Sequence, residues 1–298
     1  MERLRLTRWM AVLGLLAVGV LSAAQGTPGP SSDAKAPPVL DRTGVRVYCA
    51  GPMGGPEDFA TMRGIAAHLR KAGYQTYLPV DDGFSLILMY EAIAKSGRSE
   101  SVQAEARHWL MVAVYTLDMY CMLERCNAMI ANTNPWGGGA VNPEAGTVME
   151  ASFAAAYGIP LAFFKTDPKR LLPPDTVEGS GWDNPMIVGL SGQFGLDPDY
   201  AAGSSDELLR LLDSRCQAAG PSGLRADGTT RFGLVTPPGN MPKEVRGAMA
   251  VGRLVFELKR KYVGLPFTRE VALRQADEVT ALLRVEGPRH GFPKFKGE

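Results

Sequence analysis

The chain has 298 residues, 45% of them apolar and 21% charged, with 32 basic side chains against 31 acidic ones. The apolar fraction excludes a wholly disordered chain, and the near-neutral balance argues against the broad cationic footprint of a protein that binds a nucleic-acid polymer or an anionic membrane. Four cysteines in so long a chain are no disulfide scaffold, and three scattered histidines argue against a multi-histidine metal site.

In chain order, the first feature is a leader. Arg3, Arg5 and Arg8 precede the apolar run Met10 to Leu21, and small residues follow at Ser22 and Ala24. These are the three parts of a secretory signal peptide over residues 1–24, and the run falls short of the ~20 residues that span a bilayer. Export to the periplasm or the medium is therefore expected, without stable membrane insertion once the leader is removed. Residues 25–42, rich in Pro, Ser, Gly and Ala, read as a flexible spacer. Cys121 and Cys126 stand five apart in an expected helix, which hinders a direct bridge, and Cys49 reads as a small core residue.

Val45 to Ala50 alternates like a strand and runs into the glycine-rich turn Gly51-Pro-Met-Gly-Gly-Pro56. A helix is expected over Phe59 to Ala72, ending at Gly73, then a strand over Tyr74 to Val80. The stretch from Asp81 to Trp109 reads as a weakly helical insertion beside the site. A helix over Val112 to Arg125 leads to a strand at Ala128 to Asn132 and a glycine-rich loop from Thr133 to Gly146. Thr147 to Tyr157 is expected as a helix, Pro160 to Lys165 as a strand and Asn184 to Leu190 as a short edge strand. Alternation of this kind implies a doubly wound α/β domain over residues 43–220, with a parallel sheet of Rossmann or flavodoxin-like type. Residues 221–298 read as a mainly helical extension, with helices over Met241 to Tyr262 and from Thr268, a candidate cap, to Arg284. From residue 241 on, twelve Lys/Arg stand against seven Asp/Glu, most simply a solvated surface.

Both glycine-rich loops fall at the carboxyl ends of strands, where such sheets bind ligands. The first matches neither the dinucleotide fingerprint nor the phosphate loop. The second is more informative, because Asn142-Pro-Glu-Ala-Gly-Thr-Val-Met-Glu150 places Glu144 in the loop and Glu150 about one turn into the next helix. Two carboxylates at a cleft are the minimum equipment for glycosidic chemistry, one as nucleophile and one for proton handling. The bland alternative is a Glu serving the helix dipole beside a solvated loop Glu.

Val47-Tyr-Cys-Ala-Gly-Pro52, Arg125-Cys-Asn-Ala-Met-Ile-Ala-Asn132, Asn134-Pro-Trp136 and Pro143-Glu-Ala-Gly-Thr-Val-Met-Glu150 resemble, in order and spacing, the motifs of the nucleoside 2-deoxyribosyltransferase family. The resemblance implies that Glu150 is the nucleophile, that Glu144 contacts the base and handles its proton, and that Tyr48 hydrogen-bonds near the nucleophile. It implies substrate contacts from Gly51, Pro52, Gly54, Gly55, Asn132, Gly146 and Thr147. Asp118 lies near the position of a sugar-contacting Asp or Asn, one residue out of register. Trp182-Asp-Asn-Pro-Met-Ile187 resembles a late motif whose Asn enters a neighbour's site, which makes Asn184 a partner-supplied contact and the protein a homo-oligomer. The implied substrates are small: nucleosides, nucleobases or nucleotides, with no metal and no organic cofactor.

The implied reaction passes a 2-deoxyribosyl group from one base to another through a Glu150 ester. Departures from the family pattern are Asn127 for Asp, Gly137 for Arg, Glu144 for Asp, and Ala151-Ser152 after the nucleophile. Tyr48 to Asp58 also resembles the opening loop of the related deoxynucleoside 5′-monophosphate N-glycosidases, so hydrolysis is the second reading. An exported, non-catalytic nucleotide-binding module is the third.

Overall fold

The computed structural model describes residues 40–135, 143–166, 201–219 and 241–296. The leader over 1–24, Asn184 with its motif, and the strand expected over 184–190 lie outside the described residues. Five parallel strands form one sheet: β1 (Arg46–Ala50), β2 (Gln75–Tyr77), β3 (Ala128–Asn132), β4 (Leu161–Phe164) and β5 (Ala201–Ala202), in the order β2-β1-β3-β4-β5. The helices are α1 (Pro56–Lys71), α2 (Pro79–Asp82), α3 (Leu86–Ala94), α4 (Glu100–Tyr120), α5 (Ala145–Ala156), α6 (Ser205–Ala219), α7 (Lys243–Arg260) and α8 (Arg269–Arg289).

The alternation of a strand, buried on both faces, sorts the core into two layers. Val47 and Cys49 of β1, Ala128 and Ile130 of β3, and Ala162 and Phe164 of β4 share one cluster with Met62 and Leu69 of α1 and Leu208 and Leu212 of α6. Tyr48, Met129, Ala131, Leu161 and Phe163 point the other way, into a larger cluster built with α3, α4, α5, α7 and α8. The doubly wound sheet is as expected. The order reverses between β1 and β3, and that reversal opens a crevice beyond their carboxyl ends.

Two stretches differ from the sequence reading. The segment from Asp81 to Trp109 is firmly helical, with α2 and α3 followed by most of the first half of α4; Met89, Ile93, Trp109 and Leu110 are buried, so tertiary burial overrides its polar composition. The second strand keeps only three residues, because Pro79 lacks a ladder donor and starts a helical turn instead. Neither β5 nor α6 was expected. Helix α4 ends in a π-helical turn, Cys121–Arg125, where Cys126 N–H donates to the Cys121 carbonyl at 2.9 Å. All four cysteines are free and buried.

The C-terminal helices are as expected, with Thr268 capping α8 through its hydroxyl and Val271 N–H. Both pack on α4, and α8 also packs on α3. The closest approach of α7 to α4 is at Gly252, where a Cβ would overlap the Thr116 carbonyl oxygen and lie 2.6 Å from Tyr120 Cβ. Gly252→Ala should therefore lower stability by about 2 kcal/mol despite the better helix propensity of alanine. A fall in the urea midpoint checks this; an unchanged midpoint would show the two helices free to separate.

Candidate active site

A cavity of about 640 Å³ occupies the crevice. Its walls come from the loop after β1 and α1 (Gly51, Met53, Phe59), from α3 (Leu86, Ile87), from α4 (Met111, Tyr115, Asp118) and from α5 (Met149, Glu150, Phe153). Met111, Tyr115 and Asp118 recur at i, i+4 and i+7, one stripe of α4, so the helix delivers two large side chains and one carboxyl to the same wall. Volume and lining suit a drug-sized organic ligand held mainly by apolar contact, with a few polar groups to orient it.

The polar groups converge at one place. Tyr48 is fully buried, and its hydroxyl donates to Glu150 Oε1 at 2.6 Å. Its ring stacks on Tyr77 of the neighbouring strand, with centroids 5.5 Å apart and planes 17° from parallel. Asp118 meets the same hydroxyl from α4. Both carboxyls are half-buried with one side open to the cavity, and burial holds both well above the ordinary carboxylate range. Glu150 is pushed up further by the negative charge of Asp118, and the Tyr48 hydrogen bond opposes the shift. Burial, Asp118 and Glu150 together raise the Tyr48 hydroxyl well above its usual value, so it stays a donor. Both carboxyls therefore hold a proton more tightly than an exposed carboxylate does, while Tyr48 fixes the orientation of Glu150.

Glu144 is also in the wall, but its carboxylate is engaged. It is the N-cap of α5, accepting from Gly146 N–H at 2.9 Å, Thr147 N–H at 2.6 Å and the Thr147 hydroxyl at 2.9 Å. The bland alternative makes Glu144 a solvated loop residue and Glu150 the one that serves the dipole; instead Glu144 caps the helix while facing the cavity, and Glu150 is held by Tyr48.

Of the other expected contacts, Gly51, Gly146 and Asp118 line the cavity. Thr147 and Asn132 are buried and serve the frame: Thr147 holds Glu144, and Asn132 Oδ1 accepts from Asn134 N–H at 3.1 Å. Pro52 is buried beside Gly51, Gly54 is exposed, and Gly55 precedes α1 as its N-cap. Gly54 N–H donates to Asp58 at 2.9 Å, so a carboxylate of the protein already sits on the turn. Arg63 in the wall is paired with Asp81 at 2.7 Å. Among the described residues, no group of three or more His, Cys, Asp or Glu is arranged to hold a metal ion. Sequence reasoning missed the apolar wall (Phe84, Ile87, Met111, Tyr115, Phe153); the α4 spacing that ends at Asp118 was the available signal for two of these.

The family model for nucleoside 2-deoxyribosyltransferase matches residues 47–223. The chain belongs to this family. Membership points to an enzyme of the pentosyltransferase type, in a family that acts on small nucleosides. Among solved structures, a "2-desoxiribosyltransferase from Leishmania mexicana" is 18% identical, over 57% of this chain and 97% of that one, with a TM-score of 0.32. No curated protein matches the chain.

Proposed function

We propose that the protein transfers 2-deoxyribosyl groups between nucleobases through a covalent intermediate on Glu150. The observation that carries this reading is the Tyr48–Glu150 hydrogen bond of 2.6 Å at the floor of the cavity, with Asp118 beside it. An ionised Glu150 oxygen attacks the anomeric carbon of the nucleoside. The bond from that carbon to the base nitrogen breaks, its electron pair leaves with the base, and the base takes a proton delivered through Glu144, which recovers it from the incoming base in the second half. A second base then attacks the same carbon from the opposite side and releases Glu150. Carboxylate charge in the wall favours the cationic sugar of both transition states.

Glu144 is anchored through Oε2 to Thr147 and carries the proton on Oε1, whose one partner among the described residues is Gly146 N–H; its contribution is secondary to that of Glu150, because a base with a good leaving tendency departs without full protonation. Export of the protein on residues 1–24 and completion of the site by a neighbour's Asn184 are further parts of the proposal. The apolar wall supports transfer over hydrolysis, since it favours a flat base over water beside the sugar ester.

A nucleotide substrate is less well served. The turn N–H that would meet a 5′-phosphate is bound by Asp58, and Arg63 is bound by Asp81. The test offers 2′-deoxyinosine with free adenine, and separately 2′-deoxyinosine 5′-monophosphate. Deoxyadenosine should form, and the monophosphate should react at least about tenfold less efficiently, since its phosphate brings negative charge to a site lined by carboxyls. Sugar released at the same rate with or without adenine would make the protein a hydrolase.

A further inference from the structure

Among the described residues, the turn between α7 and α8 combines exposed apolar side chains with flanking cations. Every residue from 263 to 270 is exposed, and among them Val263, Leu265 and Phe267 are 70%, 42% and 38% accessible. Three large apolar side chains within five residues, on a turn closed by Gly264 at φ +81°, present apolar surface to solvent. Arg260, Lys261 and Arg269 flank them with no acid between, while Lys259 turns toward the body of the fold and is partly buried. The C-terminal 58 residues, with twelve Lys/Arg against seven Asp/Glu, also leave twenty against twenty-four in the remainder, so the positive charge of the chain is concentrated at this end.

The nearby acids do not cancel this collar. Glu257 faces Arg260 at 3.3 Å and Glu278 faces Lys261 at 3.8 Å, both as exposed pairs that exchange readily with other anions. Glu270 is held by Thr268; Arg274 lies over the Tyr262 ring, and Arg269 reaches the Lys95 carbonyl. We propose that this hairpin turn docks reversibly on an anionic lipid surface. Val263, Leu265 and Phe267 enter the region between headgroups and acyl chains, and Arg260, Lys261 and Arg269 meet lipid phosphates and carboxylates. A second copy of the chain is a poor occupant, because it would bring the same positive charge to the contact. No helix among the described residues is long and apolar enough to cross a membrane, so the contact is peripheral.

The test is sedimentation of the full chain with vesicles of phosphatidylcholine alone or with about 30% phosphatidylserine. Wild type should bind the anionic vesicles at least about tenfold more tightly, and raised salt should abolish the preference. Val263→Ser with Leu265→Ser and Phe267→Ser should remove about tenfold of that affinity. The N-terminal apolar run is common to both forms, so only their difference reports on the turn. A second readout is Phe267→Trp, whose emission should shift to the blue with anionic vesicles and be quenched by brominated lipid. Equal sedimentation of wild type and the triple variant, or Trp emission indifferent to vesicles, would overturn the proposal. So would binding only to an acidic protein.

Discussion

Replacing Glu150 by Gln should lower kcat for base exchange by roughly 10³-fold or more, about 4 kcal/mol of barrier. Gln keeps the shape of the side chain and still accepts from Tyr48, which now sits at 2.6 Å from Oε1. It lacks the negative charge that forms the bond to the anomeric carbon and stabilises the developing cation. Nucleoside binding, measured by calorimetry, should stay within a few-fold of wild type, because the apolar wall is untouched. A variant with wild-type kcat would place the nucleophile elsewhere, and one that has lost binding would make Glu150 a structural residue.

The second large effect is on pH dependence. As the proposed nucleophile Glu150 must be ionised, and burial together with Asp118 raises its proton affinity toward neutrality. The rate should therefore climb about tenfold per pH unit from mild acid and level off near or above neutrality, a gain of roughly 100-fold over the limb. Asp118→Asn removes the neighbouring negative charge, so the acid limb of kcat should move to lower pH, while KM rises as a polar contact is lost. Stability runs the opposite way. Both carboxyls bind a proton more tightly in the folded chain than in the unfolded one, so their contribution is greatest in mild acid and declines as pH rises toward the folded values. Asp118→Asn should thus stabilise the protein by about 1–2 kcal/mol at pH 8 and by almost nothing near pH 4, a figure kept small because one side of the pair opens to the cavity. A limb unmoved by Asp118→Asn would show the two groups titrating independently.

The sheet was legible because its signals are local. Val47, Tyr48 and Cys49 alternate between two buried faces, and each strand runs into its own glycine or proline punctuation. The segment from Asp81 to Trp109 was not legible, since its burial depends on α7 and α8, which arrive more than a hundred residues later. Strand β5 has two residues, too few for a period. At the site, the spacing from Glu144 to Glu150 identified two wall carboxylates, but only coordinates show that one caps a helix and the other meets Tyr48. The role of Asp118 beside Glu150 depends on α4 and α5 lining one cavity, a tertiary fact that no window of sequence contains.

The central claim is that the sugar is carried on Glu150, and intact-protein mass spectrometry tests it most directly. Wild type mixed briefly with 2′-deoxyinosine, without an acceptor base, and quenched in acid should gain the mass of one deoxyribosyl group. Peptide mapping should place that mass on Glu150, and adding adenine before the quench should discharge it as deoxyadenosine. An adduct mapped to another residue, or exchange that proceeds with no adduct in wild type and undiminished in Glu150→Gln, would contradict the account.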